Sequence, residues 1–66
     1  MRIELNGEPT EVPEGLTVTA LLAHLAIDAP RVAVELNTQV VRRVAHPTTP
    51  INPGDRVEIV TFVGGG

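Results

Sequence analysis

Three consecutive glycines, Gly64, Gly65 and Gly66, follow directly on the apolar, strand-like run 57–63. Residues without a Cβ can thread in extended form through a channel too narrow for any side chain. A glycine carboxylate also has no neighbouring side chain to obstruct attack at its carbonyl carbon. At about 3.3–3.6 Å per residue, three glycines carry that carboxylate about 10 Å beyond a folded body. That reach is enough for the carboxylate to enter another enzyme's active site. The competing reading is an ordinary frayed end with no role.

The remaining side chains offer few other routes to chemistry. There is no cysteine, so neither a disulfide nor a thiolate nucleophile is available, and no lysine, so no ε-amino group exists for Schiff-base chemistry or side-chain conjugation. Covalent chemistry is therefore expected at a terminus. The imidazoles are His24 and His46. The helical pattern puts His24 opposite Leu21 and Leu22, on the surface, and His46 lies in a proline-rich connection with no second ligand nearby, so no metal site, bound cofactor or general base is expected. The closing glycines have no helix after them and make no phosphate loop. Eight acids against five arginines give a net charge of −3, which argues against a nucleic-acid partner and suits basic protein surfaces. No apolar stretch is long enough to span a bilayer, and Met1 leads straight into a strand-like alternation instead of a signal peptide, so a cytoplasmic protein free of the membrane is expected.

Elements that would position the glycines can be read along the chain. Met1–Asn6 alternates, with Ile3 and Leu5 on one face, and Asn6-Gly7 supplies a type I′ hairpin turn. The returning strand, Glu8–Val12, carries Pro9, which marks a sheet edge. Thr17 stands at a helix N-cap position, Leu16 and Leu21 at the positions of a hydrophobic staple, and Val18, Leu21, Leu22 and Leu25 draw one apolar stripe down a helix ending near Ala26. Asp28-Ala29-Pro30 reads as a loop, Arg31–Leu36 as a strand, Asn37-Thr38 as a tight turn and Gln39–Val41 as a short strand. The segment 42–53 holds three of the six prolines and reads as an irregular connection with at most one helical turn. Asn52-Pro53-Gly54-Asp55 is a turn into the last strand, Arg56–Val63.

The order ββαββ in 66 residues leaves few solutions: one helix must cover one face of a four- or five-stranded mixed sheet, with the first and last strands as parallel central neighbours. This α+β arrangement is the β-grasp, or ubiquitin-like, architecture, with 1–63 as the folded domain and 64–66 as a tail. The expected inward set is Ile3, Leu5, Val12, Val18, Leu21, Leu22, Leu25, Val32, Val34, Leu36, Val57 and Ile59. Alternation along the last strand then leaves Glu58, Val60 and Phe62 on the open face, with Glu4 and Glu35 also outward. Val60 and Phe62, the latter the only aromatic residue, are candidate docking residues beside the tail. The alternative is that Phe62 folds back into a small core. Arg42 and Arg43 form at most a small basic spot, more simply read as solvated surface.

Asn6-Gly7, Leu16-Thr17-Val18 before Leu21-Leu22, Val32-Ala33-Val34-Glu35-Leu36-Asn37, Gly54-Asp55-Arg56-Val57-Glu58-Ile59-Val60 and the glycine end, in that order, resemble the ThiS family of sulfur carriers in thiamine biosynthesis. The resemblance covers essentially the whole chain, although the family usually ends in two glycines and this chain in three. It implies a protein that is a co-substrate and not an enzyme. A ubiquitin-activating-like adenylyltransferase, using ATP and Mg²⁺, would convert the Gly66 carboxylate to an acyl-adenylate, and sulfur from a cysteine desulfurase would displace AMP. The resulting thiocarboxylate would be presented to thiazole synthase, with Gly64 and Gly65 threading the end into each site and the carrier monomeric when free. The same end group serves the small subunit of molybdopterin synthase, carriers for tRNA thiolation and protein-conjugating ubiquitin-like modifiers. A β-grasp binding module with an incidental tail is the reading from another class.

Overall fold

The computed structural model describes residues 1–62. The expectations placed on Val63 and on the glycines Gly64, Gly65 and Gly66 lie outside the described residues. A five-stranded mixed sheet carries one helix on one face. The strands are β1 (Arg2–Leu5), β2 (Glu8–Glu11), β3 (Val32–Leu36), β4 (Gln39–Val41) and β5 (Arg56–Thr61), and the helix is α1 (Val18–His24). Their order across the sheet is β2-β1-β5-β3-β4. The first and last strands run parallel, with Glu4 beside Arg56 and Leu5 beside Val57, while the other three pairings are antiparallel. This is the expected β-grasp topology.

Both hairpins close through two residues in the left-handed region, Asn6 (φ 49°) with Gly7 (φ 84°) and Asn37 (φ 50°) with Thr38 (φ 72°). That geometry matches the right-handed twist of the flanking strands. Pro9 lies on β2 at one sheet edge, where its missing N–H costs no ladder bond. β4 spans the expected residues, and the other four strands are somewhat shorter than the alternation suggests. Arg31 belongs not to β3 but to a 3-10 turn, Ala29–Arg31, where the Asp28-Ala29-Pro30 loop is expected. Its N–H donates to the Asp28 carbonyl at 3.0 Å and so leaves the ladder, in which only its carbonyl takes part.

Thr17 caps α1, its Oγ1 accepting from the Ala20 N–H at 3.2 Å. The helix stops at His24, earlier than its apolar stripe, because Leu25 caps it and Ala26 turns left-handed with φ 58°. The Ala26 N–H then donates to the Ala23 carbonyl at 3.0 Å and the Ile27 N–H to the Leu22 carbonyl at 2.9 Å. These are the two bonds of a Schellman motif, with alanine where glycine is usual. Ile27 folds back against the core as that motif requires.

Ten residues form the buried core: Ile3, Val12, Val18, Leu21, Leu22, Val32, Val34, Ile51, Val57 and Ile59. Leu5, Leu25 and Leu36, expected to be fully inside, are half-buried at its rim. Ile51 is an addition from the connection that carried no periodic signal. That connection is a strap across the start of α1. Its Thr49 carbonyl accepts from the Val18 N–H at 2.9 Å, its His46 carbonyl accepts from the Thr19 N–H at 3.1 Å, and the Ile51 N–H donates to the Leu16 carbonyl at 2.8 Å. Together with Thr17, the strap satisfies the donors that a helix start leaves orphaned.

Candidate functional site

The site begins with β5, because that strand delivers the chain to the glycines. It is held on both sides, by β1 in parallel and by β3 along five register pairs from Val32–Thr61 to Leu36–Val57. The pairing continues past the strand's end, where the Phe62 N–H donates to the Arg31 carbonyl at 2.7 Å. At the level where β1 has already turned, the Asn6 side chain takes its place. Asn6 Oδ1 accepts from the Ile59 N–H at 2.7 Å, and Asn6 Nδ2 donates to the Ile59 carbonyl at 3.3 Å. An amide side chain thus stands in for a missing rung of the parallel ladder. At the strand's start Asn37 does similar work: its Oδ1 accepts from the Arg56 N–H at 2.9 Å, and its Nδ2 donates to Asp55 at 3.1 Å. The last strand is therefore fixed at both ends, which makes it a rigid base for whatever follows.

With Val57 and Ile59 turned into the core, the opposite set faces solvent. Val60 and Phe62 are each 57% exposed, so Phe62 does not fold back into the core. Ala33 lies beside Val60, Glu35 beside Glu58, and Val40 beside Glu35 on the far strand. The open face thus carries apolar groups towards the end of β5 and a pair of carboxylates one step below. Further across, charges are matched within the chain: Glu4 meets Arg56 at 3.1 Å and Arg2 meets Glu11 at 3.3 Å. Glu4, Glu35 and Glu58 all take the outward positions that alternation assigns them.

The two histidines part company. His24 is exposed, as its helical position predicts. His46 is only 4% exposed and its Nε2 sits 3.0 Å from the Val41 carbonyl, so it anchors the strap to β4. It is a packing residue that the sequence reading did not find, and the only signal available was its place among prolines in a segment that must cross the helix start. Arg43 donates from Nη2 to the Pro30 carbonyl at 3.0 Å, tying the strap to the turn before β3, and Arg42 is solvated. Among the described residues, no group of three or more metal-type ligands comes together, and no helix is long and apolar enough to cross a membrane.

β5 is thus a strand held on both sides, with Val60 and Phe62 exposed at its end. Comparison with known proteins gives the family. The family model for the ThiS family matches residues 3–66. Over 66 residues the chain is 41% identical to a thiazole synthase of Paramagnetospirillum magneticum, covering 100% of this chain and 20% of that one, so the chain spans about a fifth of that relative's length. It is 37% identical over 62 residues to the sulfur carrier protein ThiS of Thermus thermophilus, covering 94% of this chain and 95% of that one. The crystal structure of the thiamine biosynthesis protein ThiS from Geobacter metallireducens superposes with a TM-score of 0.87 at 43% identity and full coverage of both chains. Sequence and topology agree across the whole length, and the chain belongs to the ThiS family.

Proposed function

We propose that this protein is the sulfur carrier for assembly of the thiamine thiazole ring, and that its reacting atom is the carboxylate carbon of Gly66. In the first step a Gly66 carboxylate oxygen attacks the α-phosphorus of ATP within a ubiquitin-activating-like adenylyltransferase. Pyrophosphate leaves, charge-neutralised by that enzyme's Mg²⁺. The acyl-adenylate has a good leaving group where the free carboxylate had none. A sulfide-equivalent nucleophile, supplied through a cysteine desulfurase, then attacks the carbonyl carbon, and AMP departs with the bonding pair. The product is a Gly66 thiocarboxylate, whose sulfur passes to thiazole synthase. The carrier itself supplies no catalytic group. Residues 1–62 are the handle each partner grips, Val60 and Phe62 are the docking patch, and Gly64 and Gly65 are the thread, all in the cytoplasm.

The observation that carries this reading is the family match over residues 3–66, which runs through all three glycines. The thiazole synthase of Paramagnetospirillum magneticum, similar to this chain over a fifth of its own length, supports that enzyme as the acceptor. The test is the intact mass of the protein purified from its own cells. A fraction heavier by the difference between sulfur and oxygen, with the added mass mapping to the Gly64–Gly66 peptide, is expected. A mass that always corresponds to the plain carboxylate, even with sulfur supply and activating enzyme present, defeats the proposal.

A further inference from the structure

Asn6-Gly7, the turn between β1 and β2, pairs an electrophile with a nucleophile. The amide carbon of an asparagine is open to attack by the main-chain nitrogen of the residue that follows, and the attack is easiest where that residue is glycine and brings no side chain to obstruct it. The fold leaves the nucleophile available. Among the described residues the Gly7 N–H donates to no other group, nothing stands within 4 Å of the place a Gly7 Cβ would take, and both residues are exposed. The electrophile is held away instead. Asn6 Oδ1 and Nδ2 are both engaged by the Ile59 main chain, at 2.7 and 3.3 Å, so the amide is drawn across to β5 and must let go of it before Gly7 can reach Cγ. The other two asparagines are poorer sites. Pro53 follows Asn52 and has no N–H, and Thr38 follows Asn37 with a β-branched side chain.

We propose that Asn6 is a site of spontaneous deamidation gated by its bonds to Ile59, and that the reaction, once it has occurred, loosens the last strand. The Gly7 nitrogen gives its proton to solvent and bonds to Asn6 Cγ, and ammonia leaves, taking the electrons of the Cγ–N bond and a proton from water. Water then opens the cyclic imide at either carbonyl, giving aspartate or isoaspartate. Water is consumed, ammonia is released, and nothing is oxidised or reduced. In the aspartate product an oxygen still accepts from the Ile59 N–H, but where Nδ2 donated to the Ile59 carbonyl an acceptor now faces an acceptor. In the isoaspartate product an extra carbon enters the main chain inside a two-residue turn whose length sets the register of β1 and β2. Either product weakens the tie that holds β5 on the β1 side beyond Val57, where the β1 ladder ends. The inference stands whether or not the glycine end carries sulfur.

The test follows the full chain in mildly alkaline buffer, native and unfolded in guanidinium, by peptide mass spectrometry that reads the mass gained when an amino group becomes a hydroxyl. The gain is expected first in the peptide containing Asn6 and Gly7. In the native chain it should be about tenfold or more slower, because each hydrogen bond that must open is worth a factor of about two to ten. Asn6→Asp reproduces the aspartate product. Its melting temperature should fall by about 4–8 °C, and hydrogen exchange at the Ile59 amide should quicken by about tenfold. Asn6→Gly keeps a residue suited to the left-handed turn while removing the amide, and should quicken the same exchange. Equal rates in the native and unfolded chains overturn the gating. No reaction at Asn6 in the unfolded chain, or an earlier one at Asn37, overturns the site. Unchanged exchange at Ile59 in both variants overturns the consequence for β5.

Discussion

Phe62 shows how one residue's surroundings decide what its loss would do. More than half of its surface faces solvent while its backbone is tied to Arg31, so its ring contributes little to the core and its position is nonetheless fixed. Truncation to alanine should therefore cost less than about 1 kcal/mol of folding stability and about 1–3 kcal/mol of partner affinity. Melting and titration of Phe62→Ala against the adenylyltransferase or thiazole synthase check both numbers. A stability loss of about 3–5 kcal/mol would instead mark the ring as a core group. The outward placement of Val60 and Phe62 was legible because a strand alternates with period two, so fixing Val57 and Ile59 inward fixes the rest. Asn6 was legible only as a turn residue. Its two bonds to Ile59 join positions 53 apart in sequence, and no local pattern carries such information.

At the scale of elements, the regular pieces were readable and the irregular ones were not, for a physical reason. Strands and helix announce themselves through repeated burial of one face. The strap 42–53 works through backbone carbonyls, one buried isoleucine and one buried histidine, none of which repeats. The end of α1 was misplaced by two residues because its apolar stripe continues to Leu25 while its stop signal is missing: Ala26 occupies a left-handed position normally marked by glycine. That position carries its own prediction. Since an L-residue with a Cβ is strained there, Ala26→Gly should relieve about 1 kcal/mol, less the entropy glycine adds to the unfolded chain. The expected result is a gain of up to about 1 kcal/mol, or about 4–8 °C in melting temperature for a domain of this size. A loss of stability, measured by denaturant titration, would mean that the Ala26 side chain makes packing contacts that outweigh the strain.

At the scale of the whole molecule, a domain of 66 residues without disulfides holds only about 3–5 kcal/mol in reserve, and all ten core residues lie between Ile3 and Ile59. The proposed chemistry lies at the glycines, outside the span of those core residues, so a change there is expected to leave the core undisturbed. Gly65→Val tests that separation. A β-branched side chain placed next to the reacting glycine should block passage through a channel shaped for backbone alone, so ATP-dependent pyrophosphate release with the cognate adenylyltransferase should fall by orders of magnitude. The melting temperature should stay within about 2–4 °C of the wild type, since no core residue is changed and changes away from packed contacts usually stay within about 0.5 kcal/mol. Affinity of the variant for the adenylyltransferase should fall far less than turnover, because the proposed docking patch of Val60 and Phe62 is untouched. Wild-type turnover would remove the threading role of the glycines, and a lowered melting temperature would show that residue 65 belongs to the folded body and not to a part that acts beyond it.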